Sequence, residues 1–198
     1  LNFGSQVLPA RNHTFLADTY SIQFGKKAVF DTIYMKSKHS WTDKEDILEI
    51  NEDIYPLKES IQVEWIPQAH YDDLSKYAVY QINNPNFPSY RGGQLDNGVI
   101  KFNLYRFGKF TLLKDDKKPS IELISSKNNR VYFRIKDDLS GIKRFRAQIN
   151  GEWLLMHYEP KRSLIWSERI DKNKPLQGEF ELKVSDNAGN ESIFKLKL

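Results

Sequence analysis

Apolar residues along this chain recur mostly at every second position. Tyr20, Ile22 and Phe24 alternate with polar neighbours until Gly25 breaks the run, and Ile61, Val63 and Trp65 alternate until Pro67. Ile100, Phe102 and Leu104 repeat the pattern. Period two places such residues on one face of a β-strand. The densest signal lies in residues 130–156. There Val131, Phe133 and Ile135 alternate, a polar turn (Asp137 to Gly141) follows, and Phe145, Ala147 and Ile149 alternate again. Asn150-Gly151 then leads into Trp153, Leu154 and Met156. Asn-Gly between alternating runs predicts a tight hairpin, because both residues tolerate the positive φ of a type I′ turn.

Elsewhere the pattern predicts a strand over 28–35 with a slip near Asp31, a short one over 47–50 and one over 77–82. The run SKHSWTDKED (37–46) reads as a polar, turn-rich connection. Tyr55-Pro56-Leu57 reads as irregular because Pro cannot donate to a ladder. Residues 69–75 suit a helical turn or two, and NNPNFPSYRGG (83–93) reads as a loop. The opening segment 1–17 shows no assignable pattern.

The charged stretch 115–119, DDKKP, offers no apolar side chain to bury, and its Pro biases Lys118 to an extended form. Beyond it the strand count restarts, with runs at 121–124, 131–135, 142–149, 153–158, 163–166, 180–184 and 193–198. Seven short strands separated by turn signals are the pattern of an immunoglobulin-like or fibronectin-like sandwich. The expectation is therefore an all-β chain of two consecutive antiparallel β-sandwich domains, 1–116 and 117–198, the second immunoglobulin-like.

Composition narrows the picture. Among the 198 residues there is no cysteine, which removes disulfides, thiolate metal sites and a cysteine nucleophile together. No apolar run is long enough to span a bilayer, so the chain is not expected to be transmembrane. The net charge of +4 is uneven: residues 1–116 hold 13 Lys and Arg against 15 Asp and Glu, the remainder 17 against 11. A basic second half can meet an anionic wall polymer, but the interspersed acids read as a soluble face, and no nucleic-acid partner is expected. The chain lacks an initiator Met and a signal-like start, and its alternation is under way by Tyr20. It reads as a fragment of a longer protein.

No set of residues nominates catalysis. The four histidines, His13, His39, His70 and His157, form neither an HxH nor an HExxH pair. His39 and Asp43 have a spacing used by some zinc peptidases, but they lie in a polar stretch without the accompanying glycines, and chance spacing is the better reading. His70-Tyr71-Asp72-Asp73 reads as a surface turn. No G-x-S-x-G elbow or P-loop is present. The turns at 137–141 and 186–190 should fall at the same end of the second sandwich. Their Asp137, Asp138, Asp186, Asn187 and Asn190 are candidate calcium ligands, against the competing reading that they cap their own turns. Trp153, Tyr158 and Trp166 are candidates for a sugar-stacking platform, against burial in the core.

The second half carries a resemblance. Its D-x-x-S-G-I turn from Asp137, its I-N-G-x-W hairpin from Ile149 and its D-N-A-G-N turn from Asp186 look like the C-terminal sandwich of lysostaphin-like zinc metallopeptidases of the Bacteroidetes type. The junction FGKFTLLKDDKKP fits the same pattern. The step Phe24-Gly25-Lys26-Lys27-Ala28 resembles the sandwich that precedes it in those proteins. Such peptidases cut peptide cross-links in peptidoglycan with a zinc held by two histidines and an aspartate. Here the H-x-H motif and the glycine-rich metal loop are missing, so no catalytic or metal residue carries over. The resemblance implies a non-catalytic accessory region, with no cofactor of its own and with zinc confined to a catalytic domain N-terminal to Leu1. It also implies the periplasm or outer envelope of a Gram-negative bacterium. The expected partners are that upstream peptidase domain or another envelope protein, and peptidoglycan itself. The alternatives are a carbohydrate-binding or adhesin-like module, or a subunit of an envelope assembly.

Overall fold

A computed structural model describes residues 6–127, 130–168 and 175–198; residues 1–5 of the opening segment lie outside it. The described residues form antiparallel strands and two short 3-10 turns, without an α-helix, and no helix is long and apolar enough to cross a membrane. The chain divides into two compact units, Leu1–Asp115 and Asp116–Leu198.

In the first unit the strand Pro56–Trp65 is the centre of a five-stranded sheet, flanked by Tyr20–Phe24 and Val99–Arg106, with His13–Leu16 and Gln94–Asp96 at the edges. Register explains the alternation: Ile22 and Phe102 face Val63 from either side, while Tyr20 and Ile100 face Trp65. Ile61, Val63 and Trp65 are buried to within 1%. A second five-stranded sheet runs in the order Ser37–Trp41, Asp46–Ile50, Gly108–Lys114, Tyr77–Gln81 and Ser89–Gly92. Leu48, Ile50, Phe110 and Val79 from this sheet join the residues of the first in one apolar core. Phe102 meets Phe110 across it, ring centroids 5.7 Å apart.

Several expectations need correction in this unit. The run 37–46 is not a mere connection: Ser37–Trp41 is an edge strand paired with Asp46–Ile50, His39 lying opposite Leu48. Pro56 does not interrupt the chain but opens a strand, where its missing N–H is not needed. The register shift opposite it, between Leu104 and Arg106, absorbs the misfit. Within 28–35 only Ile33–Tyr34 is a strand, paired with Gln6–Val7, although Ala28, Val29, Ile33 and Met35 are all buried as the apolar pattern requires. Ser89–Gly92 is a strand inside the expected loop 83–93. The helical turn lies at Leu74–Lys76, N-capped by Asp73.

The second unit has two four-stranded antiparallel sheets. One runs Ser120–Ser125, Tyr132–Lys136, Leu164–Ser167, Met156–Glu159; the other Glu152–Leu154, Ile142–Ile149, Glu179–Asp186, Glu191–Lys197. Asn150 and Gly151 both take positive φ, 49° and 83°, and close the expected hairpin with Ile149 opposite Glu152. The stretch 153–158 is not one strand: Glu152–Leu154 and Met156–Glu159 belong to different sheets, and the chain changes layer at Leu155. Phe133 of one sheet stacks on Phe180 of the other at 5.3 Å and 10°, with Phe194 edge-on at 5.1 Å.

Phe133 is fully buried between these two rings, so Phe133→Ala leaves a cavity no neighbour can close without moving a strand. It should cost about 3–5 kcal/mol, read as a lowered urea midpoint. A loss below about 1 kcal/mol would contradict the described core.

Candidate functional site

A buried polar constellation lies beside the first unit's core, around Asp46 and His39. The strand Asp46–Ile50 buries every second residue, and Asp46 occupies an inward position in phase with Leu48 and Ile50. Its carboxylate is fully buried. Pro67 ends the strand Pro56–Trp65, and the chain then bends so that successive N–H groups aim at one carboxylate. Gln68 N–H donates to Oδ1 and Ala69 N–H to Oδ2, each at 2.9 Å. Tyr71 O–H donates to Oδ2 at 2.9 Å. The fourth donor is His39 Nε2, 2.6 Å from Oδ1. Donors on both oxygens are what an ionised buried carboxylate requires.

His39 is itself nearly enclosed, its side chain 2% exposed. Its other ring nitrogen, Nδ1, lies 2.6 Å from Thr19 Oγ1. The indole N–H of Trp65 also points at Nε2, at 3.2 Å. Both contacts cannot be hydrogen bonds at once, since indole only donates and Asp46 only accepts. The shorter, charge-assisted bond to Asp46 decides it, so Nε2 carries the proton and Trp65 contributes its ring, packed edge-on at 5.5 Å. The Thr19 hydroxyl then completes the polar contacts of the ring at Nδ1. The exposed Trp41 ring covers the imidazole at 5.0 Å.

Hydroxyl, imidazole and carboxylate thus form a chain of contacts, the order in which a base draws a proton from a nucleophile. The chain is closed, however: no face of His39 or Asp46 is open to a substrate, and both sheets are tied through it. Tyr20 O–H adds a further tie to Ser37 Oγ at 2.7 Å, and Thr111 Oγ1 donates to the Asp46 backbone carbonyl at 2.8 Å. Burial, and next the bond to Asp46, push the Tyr71 phenol well above its ordinary value.

The histidine–aspartate spacing noted in the sequence has a different partner. Asp43 is exposed in the turn between the two strands, where its carbonyl accepts from His70 N–H at 3.0 Å; the residue that meets His39 is Asp46. In 70–73, Tyr71 turns inward, Asp72 accepts from Lys114 Nζ at 2.9 Å, and Asp73 caps Leu74–Lys76. The Lys114 bond is the main reason the exposed Asp72 carboxyl is lowered to about 2. Among the described residues, no group of three metal-ligating side chains includes a histidine.

In the second unit the turns 137–141 and 186–190 do lie side by side. Asn187 zips them, its Nδ2 donating to the carbonyls of Ser140 and Gly141 at 2.9 and 3.1 Å. The carboxylate oxygens of Asp137 and Asp186 lie within 4.8 Å of each other. They are engaged in capping: Asp137 Oδ2 accepts from Gly141 N–H at 2.7 Å and from Leu139 N–H at 3.2 Å. Asp186 accepts from the backbone and side-chain nitrogens of Asn190 at 2.8 and 2.9 Å. Asp138 is exposed.

The three aromatic candidates are not brought together. Trp153, 57% exposed, lies in one sheet, and Tyr158 and Trp166 lie in the other. Tyr158 turns inward onto Phe145 at 5.5 Å, and burial raises its phenol. Trp166 turns outward, where alternation with the fully buried Ile165 places it in register with Tyr132 on one side and His157 on the other. His157 stacks on Trp166 at 5.6 Å and 20° and is bridged to Glu168. Sequence reasoning missed this row because it needs the strand register. The His39 centre leaves no mark in the sequence either, because Asp46 is polar at an inward position and the apolar pattern of its strand starts only at Ile47.

Asp46→Asn keeps the volume but turns an amide N–H₂ toward donors, and should cost about 3–5 kcal/mol in urea unfolding. A loss below about 1 kcal/mol would make the pair no better than a surface contact. Tyr71 makes a pH prediction. Its phenol titrates near 10.0 when unfolded and higher when folded. The unfolded chain therefore loses its proton first, and this contribution to stability is intact below that value and declines above it. The urea midpoint should fall more steeply with rising alkaline pH in the wild type than in Tyr71→Phe; parallel curves would contradict the burial of the phenol together with its bond to Asp46.

No curated protein and no solved structure matches the chain. The model of the Zu5-like domain matches residues 6–115, the whole described part of the first unit. The chain, more than half of which that match covers, belongs to the Zu5-like domain family.

Proposed function

We propose that the chain is a non-catalytic accessory region that positions or docks a cell-wall zinc endopeptidase of the lysostaphin-like type, in the periplasm or on the outer envelope of a Gram-negative bacterium. One observation carries the non-catalytic part. The imidazole and carboxylate that could serve zinc chemistry, His39 and Asp46, are bonded to each other and enclosed. A zinc ligand needs a free lone pair aimed at an open site. Here both Asp46 oxygens are covered by N–H and O–H donors, and His39 Nδ1 meets the Thr19 hydroxyl. The turn motifs of the second half supply the peptidase family, and the zinc belongs to a domain upstream.

The strand orders support an immunoglobulin-like sandwich for the second unit. Strands one, two, six and five of that unit form one sheet and strands four, three, seven and eight the other. That is the arrangement of such a sandwich with its extra edge strand. A spacer or substrate-positioning role suits a framework built wholly of cross-paired strands.

A second reading, a carbohydrate-binding module, is favoured by the outward row Tyr132, Trp166 and His157. Flat rings on a sheet face can stack against the apolar faces of sugars.

Incubation with purified sacculi tests both. The full chain should release no soluble wall peptide, with or without added zinc; zinc-dependent release would overturn the accessory assignment. In sedimentation with the sacculi, a wall-docking chain goes to the pellet and Trp166→Ala returns it to the supernatant with its melting temperature kept. A wild-type chain that stays in the supernatant is a spacer only, and the glycan reading falls.

A further inference from the structure

We propose that a cleft beside the edge strand Ser89–Gly92 of the first unit binds the carboxylate of a ligand bearing an adjacent apolar group, the chemistry of a peptide C-terminus, through the guanidinium of Arg91.

The guanidinium of Arg91 is bonded to a neutral amide rather than to an acid. Arg91 is partly buried, and its Nε and Nη2 donate to Gln81 Oε1 at 3.0 and 2.6 Å. Gln81 is 5% exposed and fixed in turn by its Nε2, which donates to the Phe107 carbonyl at 2.9 Å. The guanidinium is therefore held in one orientation by a neutral amide, which satisfies N–H groups but not the charge. The Nη1–Nη2 edge remains for a bidentate partner, the geometry that suits a carboxylate.

The nearby acid cannot supply one. Asp53 gives both oxygens to Arg106, Nε to Oδ1 and Nη2 to Oδ2 at 3.0 Å each, and Oδ2 also accepts from Asn83 Nδ2 at 3.0 Å. Arg91 itself is bonded to the Gln81 amide, and the charge of Asp53 reaches it only through space, opposing the effects of burial and of Arg106. Two guanidinium groups against one carboxylate leave the cleft with one net positive charge. Burial, and then the positive charge of Arg106, lower Arg91 below its ordinary value. This cation is less well solvated than it would be in water, and an anion would reverse that.

The surroundings define the rest of the ligand. The cleft beside Arg91 has a volume of about 170 Å³, with Asn84 and Ser89 as further polar lining and Phe87 at its rim. Phe87 is 75% exposed on a restrained backbone: its N–H donates to the Asn84 carbonyl at 3.0 Å, and it lies between Pro85 and Pro88, whose rings fix their own φ. Across the Asp53–Arg106 pair lies a second cleft of about 390 Å³, lined by Ile54, Tyr55 and Tyr105, all three exposed. Arg106 and Asp53 line both. A cationic slot flanked by apolar surface matches a carboxylate whose neighbouring group is apolar.

The proposal is independent of the accessory reading, which is decided by sacculi. The probes here are N-acetyl-alanyl-phenylalanine and its C-terminal amide, titrated into the full chain and followed by amide chemical shifts. The free acid should bind at about millimolar strength, with shifts at Gln81 and residues 84–92. The amide should bind about tenfold more weakly, and Arg91→Met should lose about tenfold for the acid while leaving the amide unchanged. Phe87→Ala, a change on an exposed turn, should weaken acid and amide alike by about threefold. Equal affinity for acid and amide would overturn the proposal, as would acid binding unaffected by Arg91→Met, or no saturable shift with the acid. Displacement of the acid by an equal concentration of inorganic phosphate would also overturn it, since the slot would then be a general anion site.

Discussion

A carboxylate shut away from water has to be answered by donors, and the upper end of the first unit is arranged around that requirement. Asp46 draws on an edge strand through His39, on the residues that leave the central strand through Gln68 and Ala69, and on the following turn through Tyr71. Those donors come from an edge strand of the second sheet and from the loop that leaves the central strand of the first. Removing any one of them would leave part of a buried charge unbalanced, so the segments are constrained together. Apolar contact alone would tolerate sliding between the sheets; directional bonds to one anion do not. Thr19 extends the same constraint to the turn before Tyr20–Phe24.

Much of this architecture was legible from period-two patterning. Ile61, Val63 and Trp65 had to share a face, and Asn150-Gly151 had to turn back on itself, because side-chain alternation and positive φ are local properties. The strand Ser37–Trp41 was not legible for a physical reason. Its inward residue is a histidine and its flanks are Ser and Lys, so the apolar mark of a buried face is absent. Asp46 hid the start of its own strand in the same way: a polar residue at an inward position breaks the pattern that reveals such positions. Ser89–Gly92 was concealed by the prolines before it, and Leu155 by the apolar continuity of Trp153, Leu154 and Met156, which reads as one strand although it serves two sheets.

The candidate sites divide along the same line. Turn chemistry at Asp137 and Asp186 could be read from sequence, since Asx capping is decided within a few residues, and both side chains do cap. The outward row of Tyr132, Trp166 and His157 and the cleft at Arg91 depend on register and on residues from separate strands. Neither has a sequence signature. The Arg91 cleft also depends on what its neighbours are already doing, because Asp53 is nearby but committed to Arg106.

The change of layer at Leu155 has a mechanical consequence. Glu152–Leu154 is hydrogen-bonded into one sheet and Met156–Glu159 into the other, with a single residue between them. Any shear between the two layers of the second unit must stretch that one covalent link, which has almost no slack. Tension along the chain would therefore be shared between both layers at once, and the unit should yield as a whole rather than shed one sheet before the other.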